Sequence, residues 1–162
     1  LAAIGYFRKA ECGSCHEMGK SAAGPDLTVS VSRRPADWLE EHMKSSVKVA
    51  EVLTNAQVQM LVTFVTKRVD KAVDAWEHAP QGAVEGALIY QARGCASCHK
   101  LNGVGGELGP SINGIGERQD RQRIEQHFAD PAKFAPGSIM PRFVFKPEEL
   151  KLITDYITAI PK

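Results

Sequence analysis

Two of the five histidines and all four cysteines fall in two short runs, Cys12-Gly13-Ser14-Cys15-His16 and Cys95-Ala96-Ser97-Cys98-His99. Both read C-x-x-C-H, the attachment pattern of c-type haem. Two thiols one turn apart can form thioethers to the two vinyl groups on one edge of a porphyrin, and the next residue brings an imidazole to the iron. A zinc knuckle, a dithiol redox motif and a disulfide framework compete for the same cysteines. A zinc site would use both pairs together and leave the repeated histidine unexplained. A thioredoxin-like site needs one pair and a βαβ pattern, which the chain lacks. The expectation is two covalent haems c that consume all four thiols. Attachment of this kind takes place outside the cytoplasm, where a reduced apoprotein meets haem.

The two runs belong to a longer repeat, which bears on the fold before any single element does. Cys12 matches Cys95 at an offset of 83, and Gly24-Pro25 matches Gly109-Pro110 at 85, the second half having gained residues in its Asn102–Gly106 loop. Arg33 and His42 match Arg118 and His127 at 85, whereas Val52–Val65 matches Val144–Ile157 at 92. The first half therefore lacks seven residues between His42 and Val52. Two homologous domains follow, residues 1–79 and 80–162, with the boundary near Pro80-Gln81-Gly82.

Periodicity predicts helices throughout and no convincing strand. An amphipathic segment precedes each motif, Ala2–Lys9 and Val84–Arg93, with Phe7 and Tyr90 five residues before the first cysteine. These aromatics are expected to pack on the haem or on the closing helix. The middle segment Pro35–Lys44 sets Trp38, Leu39, His42 and Met43 on one face, and Arg121–Ala129 does the same with Ile124, His127 and Phe128. The first closing helix begins at Thr54, with Gln57 at capping-box spacing, and can run on through Thr66–His78 as a charged connector. The second starts at Pro147, followed by Glu148 and Glu149. Each half has about eighty residues, marginal for an apolar core unless something as large and flat as a haem fills it.

Length and charge remove other classes. The chain has 162 residues, 43% apolar and 24% charged, and a formal net charge of +1 with the signs interspersed. It lacks the basic excess of a nucleic-acid binder. The longest uncharged stretch, Val52–Thr66, is too short and too polar for a bilayer-spanning helix. Leu1 at the start, in place of Met, raises the expectation of a cleaved signal peptide or a trimmed membrane anchor.

On these residues the chain resembles a dihaem cytochrome c, all-α and built of two tandem class I cytochrome c domains joined by a helical connector. The resemblance is most specific in the second half, where the motif, a Gly-Pro, a helix, the run Pro136-Gly137-Ser138-Ile139-Met140-Pro141 and a closing helix come in family order. It implies that His99 and Met140 are the axial ligands of the second iron. It also implies that Pro110, and by the repeat Pro25, offers a backbone carbonyl to the other ring nitrogen of the proximal histidine. In the first half His16 keeps its place, but the counterpart of the Pro136–Pro141 loop is missing. Met18 is too near His16 to reach the opposite haem face, Met60 sits in the closing helix where packing suits it, and Lys44 and Lys48 are cationic outsiders. Met43 is the expected sixth ligand, because it replaces Phe128 only in the half that lost the loop, and His42 beside it is the alternative. Arg33 and Arg118 are expected propionate partners, with a solvated surface arginine as the competing reading.

Irons closed on both faces pass single electrons and leave no position for substrate. The expectation is an electron carrier and no enzyme. It would work between a quinol-oxidising cytochrome bc complex and a terminal oxidase or reductase, in the periplasm or on the outer face of the cytoplasmic membrane. The alternative is a peroxidase-like dihaem enzyme or a gas sensor whose first haem is open or weakly ligated.

Overall fold

The computed structural model describes residues 1–17, 19, 21–78 and 80–162, without the side chains of residues 32 and 68–78. Met18 and the side chains of the connector's last eleven residues, 68–78, thus lie outside the described residues. The chain divides into two compact units, Leu1–Ala79 and Pro80–Lys162.

The first unit runs through α1 (Ala2–Lys9), α2 (Leu27–Ser30), α3 (Ala36–Ser45), α4 (Val47–Val52) and α5 (Asn55–His78). Its closing helix α5 starts on a reciprocal cap: the Thr54 N–H donates to Gln57 Oε1 at 2.9 Å and the Gln57 N–H to Thr54 Oγ1 at 3.4 Å. Val58, Leu61, Val62 and Val65 recur at helical spacing on α5 and are all buried, giving the apolar stripe on which α1 packs. Ile4 and Phe7 are the buried side of α1.

The second unit contains α6 (Gln81–Ala92), α7 (Ile115–Arg118), α8 (Arg121–Ala129), α9 (Pro131–Phe134) and α10 (Pro147–Thr158). Asp120 caps α8 by accepting the Arg123 N–H at 2.8 Å, and Glu149 accepts the Lys146 N–H at 3.2 Å at the start of α10. Tyr90, Ile124, Phe128, Ile153, Ile157 and Ile160 form its buried core. Leu61 and Ile153, matched in the repeat, are 1% and 0% exposed, so the two closing helices bury corresponding faces.

One element was not expected from periodicity. Lys100–Leu101 (β1) pairs antiparallel with Val104–Gly105 (β2). Asn102 and Gly103 between them have φ of 51° and 78°, the left-handed pair that a tight hairpin turn requires. The Asn-Gly dipeptide carried that signal; the strands are too short for a period-2 pattern to show.

The crossing of α6 over α10 is close because Gly86 lies at it. A Cβ there would stand 2.4 Å from the Leu152 carbonyl oxygen and 2.5 Å from Tyr156 Cβ. Gly86→Ala is expected to push the helices apart and destabilise the second unit by about 1–3 kcal/mol, read as a lower denaturant midpoint with the helix content at low denaturant retained.

Candidate haem-binding sites

Each C-x-x-C stretch folds as one turn of 3-10 helix, Cys12–Ser14 and Cys95–Ser97, entered through a left-handed residue, Glu11 at φ 52° and Gly94 at φ 70°. The turn continues into the histidine: the His16 N–H donates to the Cys12 carbonyl at 2.9 Å and the His99 N–H to the Cys95 carbonyl at 3.0 Å. All four thiols are free of disulfides. Burial pushes the Cys12 and Cys95 thiols up, the reverse of the depressed values that mark redox dithiols.

A Gly-Pro step then fastens each imidazole. His16 Nδ1 lies 3.1 Å from the Pro25 carbonyl oxygen, and His99 Nδ1 lies 2.7 Å from that of Pro110. In the Nδ1–H tautomer each ring donates to its carbonyl and leaves Nε2 as the free ligating nitrogen. The glycines are needed for the approach. A Cβ on Gly24 would stand 2.5 Å from His16 Cε1, and one on Gly109 would stand 2.4 Å from His99 Cε1. The same glycines donate their N–H groups to the Cys15 and Cys98 carbonyls at 2.6 and 2.9 Å, which closes the loop back onto the motif.

Each histidine faces a cavity walled by its own unit. The first, of about 850 Å³, is lined by Cys12, Cys15, His16 and Pro25, by Phe7 and Leu61, and by Trp38, Leu39, His42 and Met43 of α3. The second, of about 220 Å³, is lined by Cys95, His99, Pro110, Tyr90, His127, Phe128 and Met140. Phe7 and Tyr90 thus sit where a flat apolar group would press against them.

Met140 reaches the second cavity from a loop. Gly137 at φ 82° turns the chain, Ser138 Oγ accepts the Met140 N–H at 3.2 Å, and the Phe143 N–H donates to the Phe128 carbonyl at 2.8 Å. The loop between Pro136 and Pro141, a turn followed by irregular backbone, therefore presents the thioether, with α8 as the anchor. His127 is pushed down by burial and then by the charges of His99 and Arg123; its ring lies 5.8 Å from that of Phe134.

Residues 83–160 match the family model for cytochrome c. A cytochrome c domain implies haem binding and electron transfer. The match lies within the second unit, and the first unit falls outside it. No solved structure matches the chain.

In the first unit, which the cytochrome c match does not reach, α3 and α4 follow each other with only Ser46 between them, and no loop takes the place of Pro136–Pro141. Met43 is half-buried in the cavity wall at the position of Phe128, a core residue of the second unit. His42 is exposed into the cavity, and its ring stands against that of His16, centroids 6.1 Å apart. Of the two candidates, His42 is the one whose ring is set against that of His16, and Met43 lines the same cavity. Met60 is half-buried on α5 and is not part of the wall. Lys44 is paired with Glu40 and Lys48 with Glu11, so neither ammonium is a free ligand.

The two matched arginines are placed differently. Arg33 lines the first cavity, but Arg118 is turned to its own loop, donating to the Asn113 and Ser111 carbonyls at 2.7 and 3.1 Å. Arg123 is the arginine in the wall of the second cavity, with its guanidinium 4.8 Å above the Phe134 ring. Its place one turn before His127 was the signal that sequence reading passed over. In the first unit Arg34, also in the wall, was missed in the same way.

The residues fit a covalent haem. Each unit supplies paired free thiols, an imidazole braced at one nitrogen and an aromatic-lined cavity. In the second unit the buried Tyr90 hydroxyl has no hydrogen-bond partner among the described residues, a cost of about 1–3 kcal/mol at the wall of the cavity. Among the described residues no cluster of three or more His, Cys, Asp or Glu side chains is placed to hold a bare metal ion, and no helix is long and apolar enough to cross a membrane.

Burial pushes the Tyr90 phenol up from 10.0 to about 12. The unfolded chain ionises there first, so the stability tied to this neutral phenol is intact below pH 10.0 and is lost as pH rises towards about 12. Denaturant titrations across that range should show a fall in stability that is smaller in Tyr90→Phe.

Proposed function

We propose that the chain is an electron carrier with two covalent haems c, one in each unit. The observation that carries the reading is the repeated device: a C-x-x-C-H turn, its histidine braced on a proline carbonyl across a glycine, facing a cavity walled by its own cysteine. Cys12, Cys15 and His16 would hold the first haem, and Cys95, Cys98, His99 and Met140 the second. When bound, each haem supplies a one-electron ferric/ferrous couple.

The protein's own residues set how that couple behaves. The Pro25 and Pro110 carbonyls orient the imidazoles and raise their basicity. The Met140 thioether favours the reduced state and raises the potential. The apolar wall residues, Phe7, Leu39 and Leu61 in the first unit and Tyr90, Phe128 and Ile153 in the second, would keep water from part of each haem, which lessens the reorganisation that accompanies each charge change. With His99 and Met140 on its two faces the second haem would leave no open position for substrate, and a first haem closed by His42 or Met43 would leave none either, which argues against a peroxidase-like enzyme or a gas sensor. Covalent attachment, which takes place outside the cytoplasm, supports a location in the periplasm or on the outer face of the cytoplasmic membrane. Its partners would be redox proteins, for example a quinol-oxidising cytochrome bc complex as donor and a terminal oxidase or reductase as acceptor.

Acid-acetone extraction should leave two haems on each denatured chain; extractable haem, or one haem per chain, would refute the reading. Met140→His should keep the second haem six-coordinate and lower its potential by a sizeable fraction of the roughly 0.8 V that axial ligation can span. An unchanged potential in a spectroelectrochemical titration would mean that Met140 is not bound.

A further inference from the structure

We propose that His42, and not Met43, is the second axial ligand of the first haem, making that site a bis-imidazole centre that is harder to reduce than the second. The inference rests on the two-haem reading above and concerns only how the first unit closes its iron.

The distance between the rings is the first observation. Two metal–imidazole bonds of about 2.0 Å laid end to end, with each ring centre about 1 Å beyond its nitrogen, put the centroids about 6 Å apart. The His16 and His42 centroids are 6.1 Å apart, with the rings at 80° to each other. This is the separation two imidazoles take on either side of one metal ion, and both rings line the cavity that also contains Cys12 and Cys15.

The nitrogens are available on both sides. His16 Nδ1 is taken by the Pro25 carbonyl, so Nε2 is the atom left to ligate. Among the described residues nothing hydrogen-bonds to the His42 ring, which is held by stacking. Trp38, one turn earlier on α3, lies parallel to it at 5.1 Å and 4°, and the Arg34 guanidinium sits 4.6 Å above the indole. Stacking fixes the plane of the imidazole and leaves both nitrogens unblocked.

The repeat shows why only the first unit does this. At the position of Trp38 the second unit has Arg123, which packs on Phe134, and Phe134 lies beside His127 at 5.8 Å with the rings tilted 46°. No pairing of His127 with His99 comparable to that of His42 with His16 is present among the described residues. The residue range that contains Phe134 and Met140 is where the first unit is seven residues shorter. Without a loop to deliver a thioether, the helix itself carries the ligand, and Trp38 supplies the aromatic face that Phe134 supplies in the other unit. Met43, at the place of the core residue Phe128, packs.

An imidazole in place of a thioether favours the ferric state. Reductive titration should therefore reduce the second haem first.

The test begins with the unmodified holoprotein, so that it does not depend on a variant folding. Ferric paramagnetic resonance and near-infrared magnetic circular dichroism should show one bis-imidazole and one imidazole–thioether low-spin haem, and stepwise reduction should remove the thioether signal first. His42→Ala should lose the bis-imidazole signal and bind one carbon monoxide per chain when reduced, and added imidazole should restore the signal. Met43→Leu should leave the spectra as they are. Thioether signals from both haems, loss of a ligand in Met43→Leu, or no change in His42→Ala would each overturn the assignment. A covalent haem count below two would refute the two-haem reading itself, and that count is read separately from the ligand spectra.

Discussion

The brace between each motif histidine and a proline carbonyl is the contact on which the rest of both units depends. An imidazole that is to hold a metal through one nitrogen must be stopped from turning, and here the stop is a backbone oxygen on the other nitrogen, at 3.1 Å in one unit and 2.7 Å in the other. That oxygen can come so near only because the preceding residue has no Cβ. The glycine, the proline, the turn of the C-x-x-C segment and the hydrogen bond from the glycine back to the second cysteine's carbonyl are one closed arrangement, repeated. Everything else, the opening helix, the closing helix and the middle helix, forms the walls around the free side of that ring.

The units part company on the side facing the histidine. In the second, α8 and α9 lead into a loop held by prolines, a left-handed glycine and a serine hydroxyl, and the loop presents a methionine. In the first, α3 is joined to α4 by a single residue and presents its own side chains. A gap of seven residues thus changes which element stands opposite the motif histidine, a loop in one unit and a helix in the other. Two units built on the same brace thus differ in what stands opposite the histidine.

Much of this was legible in the chain. The motif pairs, the repeat offsets, the capping residues Thr54 and Gln57, and the apolar stripe of the closing helix are local patterns, and each is set by chemistry within a few residues: thiol spacing, helical period, orphan N–H groups at a helix start. The hairpin at Asn102-Gly103 was equally local but too short for periodicity to reveal. The role of Gly24 and Gly109 was not legible, since a Gly-Pro pair reads as an ordinary turn until the imidazole above it is in view.

The sequence by itself determined the two C-x-x-C-H turns, the helical class and the place where the halves differ, because thiol spacing and helical period act over neighbouring residues. Only the tertiary structure decided which side chain of the middle helix meets His16 and which arginines wall the cavities. His42 and Met43 are adjacent on one helix, as Arg118 and Arg123 are near neighbours on either side of a turn. Their separate fates follow from helix rotation and from what has room to pack: Trp38 against His42, Phe134 beneath Arg123, and the carbonyls of Ser111 and Asn113 around Arg118. Those are contacts between segments, and no spacing rule along the chain contains them.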